Sequence, residues 1–168
     1  MSIDAASYRR IFGQFATGVT VVTTAVDGRL HGMTANAVTS VSLDPLLLLV
    51  CVDRGTHAHD ELVEAGRFGV NILTAEQEEV SNLFAATTEP EQGRLQGVSY
   101  HLGPNGTPII DDCLAYVECA VTDHFPGGDH TIFFGEVLGG EIVREAPPLL
   151  FFQGRYRQLG SLADPADR

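Results

Sequence analysis

The spacing of apolar positions changes along this chain, and each spacing predicts an element. Between Ser7 and Ala16 they fall at Tyr8, Ile11, Phe12 and Phe15, a helical rhythm that Gly18 can end. Val19 to Val26 is rich in Val and Thr and reads as a strand, with Asp27-Gly28 as the hairpin turn after it. A second strand is expected from Arg29 through HGMTANAVTSVSL to a break near Asp44-Pro45, and the apolar run Leu46 to Val52 forms the next. Thr56 opens a short helix, HAHDELVEA, with Gly66 after it. Arg67 to Leu73 is a strand. Thr74 then caps AEQEEVSNLFAA, and Gln77 stands where a capping box needs it. TTEPEQGRLQG has no periodicity and reads as an exposed loop. Leu114 to Phe125 and His130 to Val143 flank the turn PGGD as a long hairpin. Leu149 to Phe152 and Arg155 to Leu159 are the last core pieces, and Ser161 to Arg168 is expected to fray.

This pattern gives at least seven strands, many joined by hairpins, and about three short helices. It predicts a mostly β fold, an antiparallel barrel with helical decoration. Strands do not alternate regularly with helices and no GxGxxG occurs, which disfavours a parallel dinucleotide-binding sheet. The 168 residues suit a single domain with a core of about 8–159, and 44% apolar with 19% charged residues is an ordinary globular composition. The net charge of -12 argues against nucleic acid or an anionic membrane as the main partner, while leaving room for a local basic pocket. Three cysteines without a CxxC fit a reducing compartment better than a disulfide framework. The opening MSIDAASYRRIFGQ lacks an apolar signal core and no run reaches membrane length, so a soluble cytoplasmic protein is expected.

Nucleophilic chemistry finds no support. There is no GxSxG, no cysteine has a neighbouring His, and Cys51 at the end of an apolar strand reads as a small core residue. The acidic residues fall mostly on helices and loops, so no acid–base pair stands out. HAHD offers His57, His59 and Asp60, but side chains diverge at a helix start and no second cluster exists. A solvated helix N-terminus is preferred over a metal site.

The unusual stretch is HGMTANAVTSVSLDP, where Thr34, Asn36, Thr39, Ser40 and Ser42 are threaded among Ala and Val beside an apolar strand. Two readings stand. It is a tight hairpin with a solvated face, or a shelf of small groups on which a flat, polar-edged ring such as a flavin rests. Asp53-Arg54-Gly55-Thr56 leads from a strand into a helix. It supplies a positive charge, a close-approach glycine and a hydroxyl for a phosphate, and serves equally as a routine N-cap. Pro126-Gly127-Gly128-Asp129 is a turn with His130 just after it, and taken alone it is a hairpin tip with a structural histidine.

Together, FATGVTVVTT, GMTANAVTSVSLDPLLLLVCV, FGVNIL, GDHTIFFGEV and PLLFFQGRY resemble the short-chain flavin reductases, reductase components of two-component flavin-dependent monooxygenases. The resemblance runs over about residues 8–159. It implies a flavin reductase-like, FMN-binding split β-barrel acting as a homodimer. The implied activity is NADH- or NADPH-dependent reduction of FMN or FAD, with reduced flavin passed to a partner oxygenase. On matching positions, Thr34, Ala35, Asn36, Ser40 and Val41 would line the flavin ring, and Cys51 and Asp53 its ribityl chain. Arg54 and Thr56 would sit by the phosphate. Gly128, Asp129 and His130 would form the nicotinamide side, with Tyr156 in the same pocket. Family members often read TANSF and DPP where this chain has Thr34-Ala35-Asn36-Ala37-Val38 and Asp44-Pro45-Leu46. An electron carrier or sensory flavoprotein on the same fold is the alternative, and the GDH tripeptide favours the enzyme.

Overall fold

Asp4 starts the first helix: its carboxylate accepts the Ser7 amide at 2.7 Å, and Ala5–Phe12 (α1) winds on from there. The structure is a computed structural model and describes residues 3–85 and 97–160. The helix ends at Gly13, before the Ala16 expected from its apolar rhythm, because Gln14 and Phe15 tighten into bonds to Ile11 and Phe12. Most of the TTEPEQGRLQG loop and the Ser161–Arg168 tail lie outside the described residues.

Thr17–Gly18 (β1) is followed by Thr20–Val26 (β2), a strand buried on both faces. Asp27 and Gly28 both adopt positive φ, 48° and 76°, and fold β2 back on Arg29–Ala35 (β3). The single long strand expected from Arg29 to Leu43 is in fact two. The chain leaves β3 at Asn36-Ala37 and resumes as Val38–Leu43 (β4), which pairs with Leu46–Asp53 (β5). His57–Ala65 (α2) ends at Gly66, which takes the left-handed conformation at φ 61°. Arg67–Ile72 (β6) leads to a 3-10 turn, Ala75–Gln77, with the expected Thr74–Gln77 capping box, and then to Glu78–Ala85 (α3).

Tyr100–Leu102 (β7) and Pro108–Ile110 (β8) form a small hairpin that the sequence pattern did not reveal. Ala115–Gly127 (β9) and His130–Ile142 (β10) make the long hairpin, and Leu150–Phe152 (β11) pairs with Arg155–Arg157 (β12) and with β1.

The main sheet is antiparallel, in the order β3-β2-β6-β9-β10-β5-β4. Its two outermost strands, β3 and β4, are consecutive in the chain. The two-residue link Asn36-Ala37 therefore draws the sheet's edges together, and the Ala37 carbonyl accepts the Cys51 amide at 3.0 Å there. The sheet curls without closing along its whole length, a split barrel. Alternation sends Val22, Leu48, Val50, Val52, Phe68, Val70 and Phe133 inward, and Leu62 of α2 plugs the interior. Gly135 makes room for this packing, since a Cβ there would lie 2.6 Å from the Phe68 ring. Val21, on the other face of β2, and Val19 just before the strand enter a second core with Leu73, Ile110 and Leu149, beneath α3 and the small sheet.

Buried polar groups are tied in. Asn71 donates to the Val21 carbonyl and Thr23 hydroxyl and accepts the Ile110 amide at 2.9 Å, pinning β8 to the barrel. Glu118 is fully buried, and its carboxylate accepts the amides of Asn105 and Thr107, the Asn105 side chain and the Thr107 hydroxyl. No helix among the described residues is long and apolar enough to cross a membrane.

Candidate functional site

The small-residue stretch becomes a ledge because β4 is an edge strand paired on one side only. Val38, Thr39 and Ser40 face Val50, Leu49 and Leu48 in register, and a bulge between Ser40 and Ser42 pushes Val41 outward. Ser40 and Val41 are exposed. Thr34, on β3, donates its hydroxyl to the Ser81 carbonyl at 2.6 Å, so it offers a ligand a lone pair and backbone rather than a donor. Ala35 is buried, and its carbonyl accepts the Thr20 hydroxyl at 2.7 Å. Asn36 donates to the Thr17 hydroxyl at 3.2 Å across the gap between the two sheets. These bonds make the ledge stiff without adding bulk.

Cys51 lies half-buried on β5, and its own amide makes the Ala37 contact. Burial raises the pKa of its thiol and pushes those of Cys113 and Cys119 up to about 11 and about 12, so none supplies a thiolate at neutral pH. Ser40 pairs opposite Leu48, and β5 continues from there to Asp53. At about 3.4 Å per residue, this rail is about 17 Å long. It suits an object with a flat head, an extended chain and a charged end.

At the end of the rail, Asp53 folds the chain back on itself. Its carboxylate accepts the Gly55 amide at 2.8 Å, and its carbonyl accepts the Thr56 hydroxyl at 2.8 Å. Thr56 thus directs its hydroxyl backward and makes no side-chain cap on α2, leaving the first turn of the helix without one. Arg54 is exposed, and among the described residues its guanidinium pairs with no carboxylate. An uncapped helix start beside an unpaired guanidinium fits a phosphate.

The hairpin tip of β9 and β10 lies against this loop. His130 pairs opposite Asp53 in the β5–β10 ladder, and the Arg54 amide donates to the Asp129 carbonyl at 3.0 Å. Gly128 takes a positive φ of 73° to make the turn. The Nδ1 of His130 lies 2.8 Å from the Asp129 carboxylate, and this hydrogen bond, followed by the attraction of the two charges, holds the Asp129 carboxyl below the usual carboxylate range. The fold thus brings together Asp53, Arg54, Thr56, Gly128, Asp129 and His130, and joins Cys51 to the Asn36-Ala37 link. The Tyr156 hydroxyl hydrogen-bonds the Ser81 hydroxyl at 2.8 Å, and its ring lies edge-on to Phe151 against the second core. Through Ser81 it supports Thr34 and the ledge.

The HAHD run also differs from its expected solvated face. His57 is exposed, but His59 turns inward to Thr131 and Phe133, and no group of three metal ligands forms among the described residues. Ser81, Thr17 and Thr131, which support the site, carried no mark in the sequence, since their partners are distant in the chain.

A curled antiparallel sheet with a small-residue ledge, a strand rail and a phosphate-ready helix start defines a nucleotide-binding split-barrel protein. Residues 12–160 match the family model of the flavin reductase like domain. The chain is 40% identical over 163 residues to an NADH-dependent FAD reductase of Streptomyces globisporus, covering 96% of this chain and 89% of the relative. A "probable flavin reductase" of Rhizobium meliloti (strain 1021) is 45% identical over 139 residues, 82% of this chain, which spans only 44% of that longer protein. The solved NADH:FAD oxidoreductase SgcE6 of Streptomyces globisporus C-1027, in complex with NAD and FAD fragments, superposes with a TM-score of 0.89 at 40% identity, covering 96% of each chain. The flavin reductase PheA2 gives 0.87 at 41% identity, over 95% of this chain and 100% of its own. This chain belongs to the flavin reductase like domain family.

Proposed function

We propose that the protein is an NAD(P)H-dependent flavin reductase that takes FMN or FAD on the β4–β5 rail and the nicotinamide at the Gly128–His130 turn. The observation that carries this reading is the Arg54–Asp129 bond, which sets a phosphate-ready loop beside the histidine turn. When both are bound, the nicotinamide supplies a hydride and the flavin accepts it. The protein's part is positioning. Ser40, Val41 and the backbone around Asn36 support one face and edge of the ring, and Arg54 with the first turn of α2 holds the phosphate. His130, oriented by Asp129, aligns the nicotinamide. Hydride transfer between two bound cofactors needs no nucleophile or carboxylate pair from the protein.

Two further parts of the reading concern partners. The protein acts as a homodimer. Supporting this, α1 exposes Tyr8, Ile11 and Phe12, and the β4–β5 hairpin exposes Val41, Leu43 and Leu46, large apolar side chains that a second copy could cover. Reduced flavin passes to a partner oxygenase. Supporting that, a relative 37% identical is named the HsaB reductase subunit of a flavin-dependent monooxygenase of Mycobacterium tuberculosis. NADH oxidation with FMN, FAD and riboflavin tests the central reading. Activity is expected to rise with added flavin. A protein that binds flavin but leaves NADH unconsumed is an electron carrier or sensor instead. Light scattering on the purified protein tests the dimer.

A further inference from the structure

His59 stands in the first turn of α2, where exposure is the rule, yet its side chain is only 16% exposed. Its Nδ1 lies 3.0 Å from the Asp60 carboxylate and its Nε2 lies 2.9 Å from the Thr131 hydroxyl. Its ring meets Phe133 edge-on at 5.6 Å. A carboxylate only accepts, so Nδ1 carries the proton and the neutral ring accepts the Thr131 hydroxyl hydrogen at Nε2. A doubly protonated ring would donate to the same oxygen. The contact therefore survives either charge state.

Thr131 follows His130 on β10, and neighbouring strand residues face opposite ways. His59 thus grips the buried side of the strand whose other side carries His130. A second tether lies on the other flank of His130, where the Arg54 amide holds the Asp129 carbonyl. The phosphate loop and α2 are continuous, so both tethers run from the phosphate-binding unit to the nicotinamide turn.

We propose that His59 is a positioning residue that couples flavin-phosphate binding to the nicotinamide turn through Thr131. This rests on the reading of the protein as an NADH-dependent flavin reductase. A phosphate seated at the start of α2 fixes the helix, and the helix fixes the β10 strand under His130. NADH then binds better when the flavin carries a phosphate, and the effect is reciprocal.

The test measures KM and kcat for NADH with FMN and with riboflavin, in the wild type and in His59→Ala, His59→Gln and Thr131→Val. In the wild type, KM for NADH is expected to be roughly fivefold to tenfold lower with FMN. His59→Ala and Thr131→Val bring that ratio close to one, with kcat less affected. His59→Gln restores it, because a glutamine amide reaches the place of Nε2. A merely structural role would weaken both flavins equally and follow the melting temperature. That result, a wild-type ratio of one, or a ratio retained in Thr131→Val overturns the coupling. A wild type that oxidises NADH with neither flavin overturns the functional reading instead.

Discussion

The Arg54 amide reaches the Asp129 carbonyl at 3.0 Å, so a backbone hydrogen bond ties the loop that leaves β5 to the tip that opens β10. In the proposed reading, the phosphate loop and the nicotinamide turn meet at a backbone bond that side-chain substitution leaves in place. Each half can be probed separately.

Arg54→Ala removes an exposed guanidinium and spares the fold. A charge-assisted bond to phosphate is worth about 1.5–3 kcal/mol, so FMN should bind roughly ten- to a hundredfold more weakly. Riboflavin, which lacks the phosphate, should bind as before. Fluorescence titration of both flavins separates the cases, and equal weakening would move the phosphate site elsewhere.

His130→Ala acts on the other half. It should raise KM for NADH while leaving FMN affinity near the wild-type value, because the rail and phosphate loop are untouched. Steady-state kinetics alongside flavin titration checks this. A parallel loss of flavin affinity would reject the assignment of His130 to the nicotinamide.

Ser40→Phe tests the ledge. Ser40 is exposed on an edge strand, so the substitution should shift stability by no more than about 0.5 kcal/mol. A ring there would occupy the flavin's place and abolish binding of FMN and riboflavin alike. Unchanged binding in a folded variant would show that the ring rests elsewhere.

The His31 imidazole on β3 lies 3.2 Å from the Glu61 carboxylate on α2, and the two side chains are 10% and 15% exposed. Burial is the main force holding its pKa below the ordinary 6.5; Glu61 opposes the shift, while Arg29 and His57 add to it. Between that lowered value and 6.5 the unfolded chain binds more protons than the folded one, so stability rises with pH in this window. The melting temperature should therefore fall as pH drops below 6.5, and His31→Gln should flatten the fall. A variant whose pH profile matches the wild type would assign the effect to other groups.

How much of this could be read along the chain depends on the range of each interaction. Local signals were legible: Asp27-Gly28 made its hairpin turn, Thr74 and Gln77 their capping box, and Gly66 its left-handed helix end. The break at Asn36-Ala37 was not, because it exists to bring together two sheet edges that no window of sequence compares. The strands β7 and β8 were missed for a related reason. They are short, and β8 is held by Asn71 and Thr23, far upstream in the chain. At the site, the residue types of the ledge and the phosphate loop were legible. The inward turn of His59 depended on Thr131, and the Tyr156 hydroxyl on Ser81.

The β5–β10 ladder joins residues 46–53 to a strand that begins at His130. During synthesis, hairpins such as β2–β3 and β4–β5 can form as soon as they leave the ribosome. The rail, however, waits on a pairing that must close a loop of roughly half the protein's length, the slow kind of step. A nascent chain stopped ahead of His130 should therefore expose the β4–β5 segment to protease, and the ability to hold a ligand should arise only when nearly the whole polypeptide has emerged.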